Sequence, residues 1–123
     1  MKISLDELFL YRQYPGYPVE FYFDRKKNNI VSKEDVDLNK SCDYRRYIPL
    51  YSINQEQIEL SFILQLNDKK ILSQYKNRNT CFEEFLQKNN LYYTWWKYYK
   101  NTVINIIIQW CEENKIHYVE QYR

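Results

Sequence analysis

Alanine is absent from the chain, and glycine and histidine each occur once. A serine-hydrolase elbow needs two glycines around its nucleophile, and a phosphate loop needs several so that backbone amides can approach the ligand. The lone Gly16 excludes both. His117, the only histidine, leaves a His-based metal site or a Cys-His dyad without ligands to spare. Cys42, Cys81 and Cys111 make no C-x-x-C pair and are odd in number. They read as free thiols of a cytoplasmic protein, with Cys42 the most exposed and Cys81 and Cys111 small buried hydrophobes beside large apolar residues. The amino terminus has neither the apolar core nor the cleavage site of a signal peptide, and no run of ~18 apolar residues offers a membrane span. Net charge is only +2, so no global field draws the protein toward nucleic acid or an anionic membrane.

What the chain does have is aromatic and aliphatic mass: 19% aromatic and 45% hydrophobic residues, too many for disorder and enough for one domain of 123 residues to fold without disulfides or metal. Much of it lies between Asn90 and Asn114. Leu91, Trp95, Tyr99, Val103, Ile106 and Trp110 recur at steps of three and four, the period of one helix face. The polar stripe of Lys97, Asn101, Asn105 and Gln109 is narrow, so a single long helix is expected with most of its circumference covered.

Upstream, Ser4-Leu5-Asp6-Glu7 is a capping box that predicts a helix over residues 5–14, stopped by Pro15 and Pro18. Val19, Phe21 and Phe23 alternate with polar neighbours, and Ile30-Val31 follows a polar turn, which predicts a β-hairpin. Residues 33–46 read as a surface connection with a helical turn over 33–38. Residues 47–51 read as an edge strand or a bare connector, because Pro49 cannot donate to a ladder. Asn54 and Asp68 are expected to cap two further helices, with Ile58, Leu60, Phe62, Ile63, Leu64 and Leu66 forming the core face of the first and Ile71, Leu72 and Tyr75 that of the second. Thr80-Cys81-Phe82-Glu83 reads as another capping box, Asn114 as the left-handed terminator of the long helix, and residues 116–119 as a strand able to join the hairpin. The expected fold is a mostly helical α+β single domain around a long C-terminal helix, with a small antiparallel sheet.

Tyr22-Phe23-Asp24 with Ile30-Val31, Tyr47-Ile48-Pro49-Leu50, Cys81-Phe82-Glu83-Glu84-Phe85, the aromatics Trp95, Trp96, Tyr98 and Tyr99, and Trp110-Cys111-Glu112-Glu113-Asn114-Lys115-Ile116 together give a pattern that resembles the bacterial uncharacterised protein family UPF 0158. The resemblance spans nearly the whole chain, and Lys115 stands where that family usually has glycine. It implies an architecture and no activity.

No nucleophile, base and stabilising donor assemble from these motifs, so a non-enzymatic protein without cofactor or metal is expected. Asp24, Glu83 and Glu84 are the only carboxylates that suggest a pair, and each has a turn or capping role to explain it. Two binding readings follow. In the first, a cytoplasmic interaction or regulatory protein, such as an inhibitor, docks on a protein partner through Tyr47, Tyr51, Tyr92, Tyr93, Trp96 and Tyr98, with Trp95, Tyr99 and Trp110 serving the core. In the second, Arg25, Lys26, Lys27, Arg45, Arg46, Lys69, Lys70 and Lys76 contact the phosphates of a nucleic acid. Near-neutral net charge favours the first.

Overall fold

A computed structural model describes residues 2–12, 20–38 and 45–119. In chain order the elements are β1 (Ile3–Ser4), α1 (Leu5–Leu10), β2 (Phe21–Asp24), β3 (Asn29–Ser32), α2 (Lys33–Leu38), β4 (Tyr47–Pro49), α3 (Gln55–Gln65), α4 (Lys69–Lys76), α5 (Phe82–Lys88), α6 (Tyr92–Glu113) and β5 (Tyr118–Val119). This is an α+β fold with a long C-terminal helix and a three-stranded antiparallel sheet. The chain forms two compact units: Met1–Ile53 with Ile104–Arg123, and Asn54–Val103. Each takes about half of α6, whose 22 residues span ~33 Å.

In the first unit the sheet order is β3-β2-β4, so β4 is an edge strand that tolerates Pro49. Tyr22 pairs with Val31 across the hairpin and with Pro49 on the other side. Trp110, from the second half of α6, packs edge-on to Phe23 and Tyr51 at centroid distances of 6.3 and 6.0 Å and donates its indole N–H to the Pro49 carbonyl at 3.1 Å. Ile107 and Cys111 complete the buried face of that half. α1 starts as its capping box predicts, with the Ser4 hydroxyl accepting from the Glu7 amide, but it ends at Leu10 rather than 14. Arg12 folds back over the Phe9 ring and donates to the Phe9 carbonyl. The last strand does not join the hairpin. β5 pairs in parallel with β1, Ile3 opposite Tyr118, in a separate two-stranded sheet.

The second unit is helical. Asn54 and Asp68 cap α3 and α4 through their side chains. Phe62 packs against Trp95 and Tyr98, both with centroids at 5.3 Å, while Phe82 meets Trp95 at 4.9 Å. The expected core face of α3 is corrected in part: Leu60 and Leu64 are exposed, and Glu59 is buried with Ile58, Phe62 and Ile63. At 100° per residue, 58, 59, 62 and 63 share a face from which 60 and 64 point away. α5 also departs from expectation. Its N-cap is Cys81, without a side-chain cap hydrogen bond, so Thr80 closes no capping box and Cys81 is exposed rather than buried.

Candidate functional site

α6 enters the second unit with a buried and an exposed aromatic set. Trp95 and Tyr99 are in the core. Tyr93, Trp96, Lys97, Lys100 and Asn101 recur at i, i+3, i+4, i+7 and i+8, which places them on a common stripe, and together they line a shallow depression of about 470 Å³. Tyr93 is 76% exposed, Trp96 41% and Tyr92 42%. Trp96 is not a loose side chain: it stands edge-on to Tyr99 at 5.6 Å and to Tyr92 at 6.5 Å, so part of its ordering entropy is already spent in the folded protein. The Lys97 ammonium lies 5.7 Å from the Tyr93 ring. No aspartate or glutamate occurs between Glu84 and Glu112, so the whole approach to this stripe along α6 carries positive sign only.

Three of the six expected partner-surface residues are placed otherwise. Tyr47 and Tyr51 are 6% and 5% exposed. The Tyr51 hydroxyl donates to the Leu8 carbonyl at 2.6 Å, and its ring carries Trp110, so these tyrosine side chains belong to the core. Tyr98 is half-buried against Phe62. Tyr92, Tyr93 and Trp96 are the exposed members.

The basic residues of the nucleic-acid reading are only partly available. Arg46 forms a two-pronged ion pair with buried Asp24, Nε to Oδ1 at 2.9 Å and Nη2 to Oδ2 at 3.0 Å. That pairing, helped by the amides of Lys26 and Lys27, holds the Asp24 carboxyl below the usual carboxylate range even though burial pushes the other way. Asp24 is therefore a structural anion of the hairpin turn. Arg25 donates from Nη2 to the Asn114 carbonyl at 2.6 Å. Arg45 is exposed beside Arg46, and Lys27 is exposed in the turn. In the second unit, Lys69 and Lys70 open α4 and Lys76 closes it, all three exposed.

A further buried carboxylate was not singled out from the sequence. Glu59 accepts from Gln55 at 3.3 Å and from the Tyr75 hydroxyl at 3.4 Å, with Arg78 at 3.8 Å. Burial raises its pKa despite these partners, and burial likewise raises that of Tyr75. α3 carries both Glu56 and Glu59, and its apolar residues are too widely spread to signal which of them lies on the core face.

Burial pushes the Cys111 thiol up to about 12, which leaves it inert as a nucleophile. Cys42 lies outside the described residues. Among the described residues no group of three or more His, Cys, Asp or Glu side chains could hold a metal, and no helix is long and apolar enough to cross a membrane. No family model, curated protein or solved structure matches the chain, and none identifies the UPF 0158 family.

Proposed function

We propose that the protein is a non-enzymatic binding module that docks, in the cytoplasm, on an acidic protein surface through the exposed stripe of α6. The observation that carries this reading is the joint placement of Tyr93 and Trp96 with Lys97 and Lys100 around one depression. Tyrosine and tryptophan bury large areas at low entropic cost and dominate interface energetics, while rim lysines steer an acidic partner and set its register. Net charge supports the same reading: at +2 no overall positive field favours non-specific phosphate binding, and Arg46 is already paired within the protein.

A lysine-flanked aromatic stripe is also what stacking on unpaired bases requires, which keeps a nucleic-acid accessory role as the competing reading. The experiment compares the wild-type protein with a Tyr93→Ser, Trp96→Ser variant whose circular dichroism is unchanged. The expected result is a defined protein partner captured by the wild type, retained after nuclease treatment and lost in the variant. Binding to single-stranded oligonucleotides, with affinity falling steeply between ~50 and ~200 mM salt, would overturn it in favour of the competing role.

A further inference from the structure

The first unit holds a second cavity, independent of the aromatic stripe, of about 350 Å³. Its floor is apolar, made by the buried side chains of Phe23 and Ile116. Its walls carry Arg25, Lys26, Lys115 and His117, and Asn28 completes the lining. The hairpin turn and the segment after α6 thus bring three permanent cations and an imidazole together. Among the described residues no carboxylate lines this cavity. Asp24, next in the turn, is neutralised by Arg46. Glu112 lines a neighbouring depression, where it faces Lys2 as well as Lys115 and His117.

The bland explanation is that these cations neutralise the C-terminal end of α6, which carries the equivalent of roughly half a negative charge. Arg25 serves that end directly, donating to the Asn114 carbonyl. Among the described residues Lys26 and Lys115 form no ion pair. Two further features of the same wall point to a ligand. Lys115 has φ 56°, a conformation that costs a residue with a Cβ about 1 kcal/mol relative to glycine. The chain therefore holds an ammonium at a position where the helix end alone would be better served by glycine. Asn28, also at φ 56°, has a buried Nδ2 without an acceptor. Its terminal torsion is soft, so the amide can turn to the cavity and gain an acceptor there.

We infer that this cavity binds a phosphate monoester. The guanidinium of Arg25, two ammonium groups and the Asn28 amide supply more donors than a carboxylate can use and suit the three terminal oxygens of a phosphate. The volume lies at the lower end of small-molecule sites, and the Phe23 and Ile116 floor receives a small apolar body attached to the phosphate. The site is distinct from the α6 stripe, and the Tyr93→Ser, Trp96→Ser variant leaves it intact.

The test is a two-dimensional NMR titration of the full chain at constant ionic strength with phenyl phosphate, inorganic phosphate and acetate. Expected are saturable shifts at Arg25, Lys26, Asn28 and residues 115–117, with phenyl phosphate at least tenfold tighter than acetate. Lys115→Gly removes a cation while relieving the backbone. It should weaken phenyl phosphate binding at least fivefold and melt no lower than the wild type, and Lys26→Ala should weaken binding similarly. Phosphatidylcholine vesicles with and without a phosphoinositide separate two sources of the ester: retention that needs the phosphoinositide and Lys115 assigns the site to a lipid headgroup, and its absence to a soluble ester. Unsaturable shifts, equal response to acetate, or unchanged affinity in Lys115→Gly would overturn the inference.

Discussion

At the scale of single residues, Trp110 and Asp24 fasten the sheet of the first unit by different physics. Trp110 contributes area, two edge-to-face ring contacts and an N–H bond to Pro49. Trp110→Ala is expected to cost ~3 to 5 kcal/mol, read as a fall in the urea midpoint, whereas Trp110→Phe keeps much of the area and should cost distinctly less. Asp24 contributes charge. Its folded pKa lies below the ordinary 3.8, so the stability it supplies is fully present above that value and is lost as pH falls through the lowered one. Asp24→Asn should therefore destabilise at neutral pH and flatten the acid limb of a stability-versus-pH curve. Glu59 has the opposite sign. With its pKa raised above 4.5, its favourable contribution is present below that value and is lost as pH rises through the folded one. Glu59→Gln should raise stability by ~1 kcal/mol at neutral pH, because the charge is no longer buried and the new amide can donate to Gln55 Oε1, a buried atom without a partner. The gain should vanish in denaturation curves recorded below pH 4.5; a loss at neutral pH would show that the Arg78 pairing outweighs burial.

At the scale of elements, three helix starts were legible in their caps, whereas α5 opens on Cys81 without the expected Thr80 box and α1 ends early, at Leu10. Ser4, Asn54 and Asp68 cap through their side chains as their positions predict, because an N-cap is a local contact within three residues. Termination of α6 shifts by one residue. Lys115, not Asn114, takes the left-handed position, and its amide donates to the Glu112 carbonyl while that of Ile116 reaches the Cys111 carbonyl at 2.8 Å. Asn114 instead donates its side-chain amide to the Trp110 carbonyl. α5 ends the same way on Asn90, with the Leu91 amide on the Leu86 carbonyl. Asn90→Gly should raise stability by a few tenths to ~1 kcal/mol in thermal melts, since glycine reaches positive φ without steric cost. The α6 stripe was readable for a related reason: Tyr93 and Trp96 fall off the core period. The facing of α3, the parallel pairing of β5 with β1 and the burial of Tyr47 and Tyr51 were not, because α3 spreads its apolar residues around the helix and a two-residue strand carries too little pattern to choose a distant partner. The meeting of Arg25 with Asn114, far apart in the chain, is of the same kind.

At the scale of the whole molecule, one compact unit is continuous in sequence and the other is interrupted by it. In the continuous unit, residues 54–103, Phe62, Phe82, Trp95, Tyr98 and Tyr99 pack on one another as an aromatic cluster. At about 50 residues it buries only roughly 60% of its unfolded surface, which makes it marginal but not incapable of folding. The interrupted unit is different: β2 and β4 depend on Trp110, and β1 depends on β5, so residues 1–53 alone lack the elements that cover and pair them. A fragment of residues 54–103 is expected to show a helical circular dichroism spectrum and a cooperative melt at a lower temperature than the full chain, with amide shifts for its core that overlay those of the intact protein. A fragment of residues 1–53 should give the narrow amide dispersion of an unfolded chain. A random-coil spectrum for the 54–103 fragment would mean that its aromatic cluster does not suffice as a core, and native dispersion in the 1–53 fragment would mean that Trp110 does not organise the sheet.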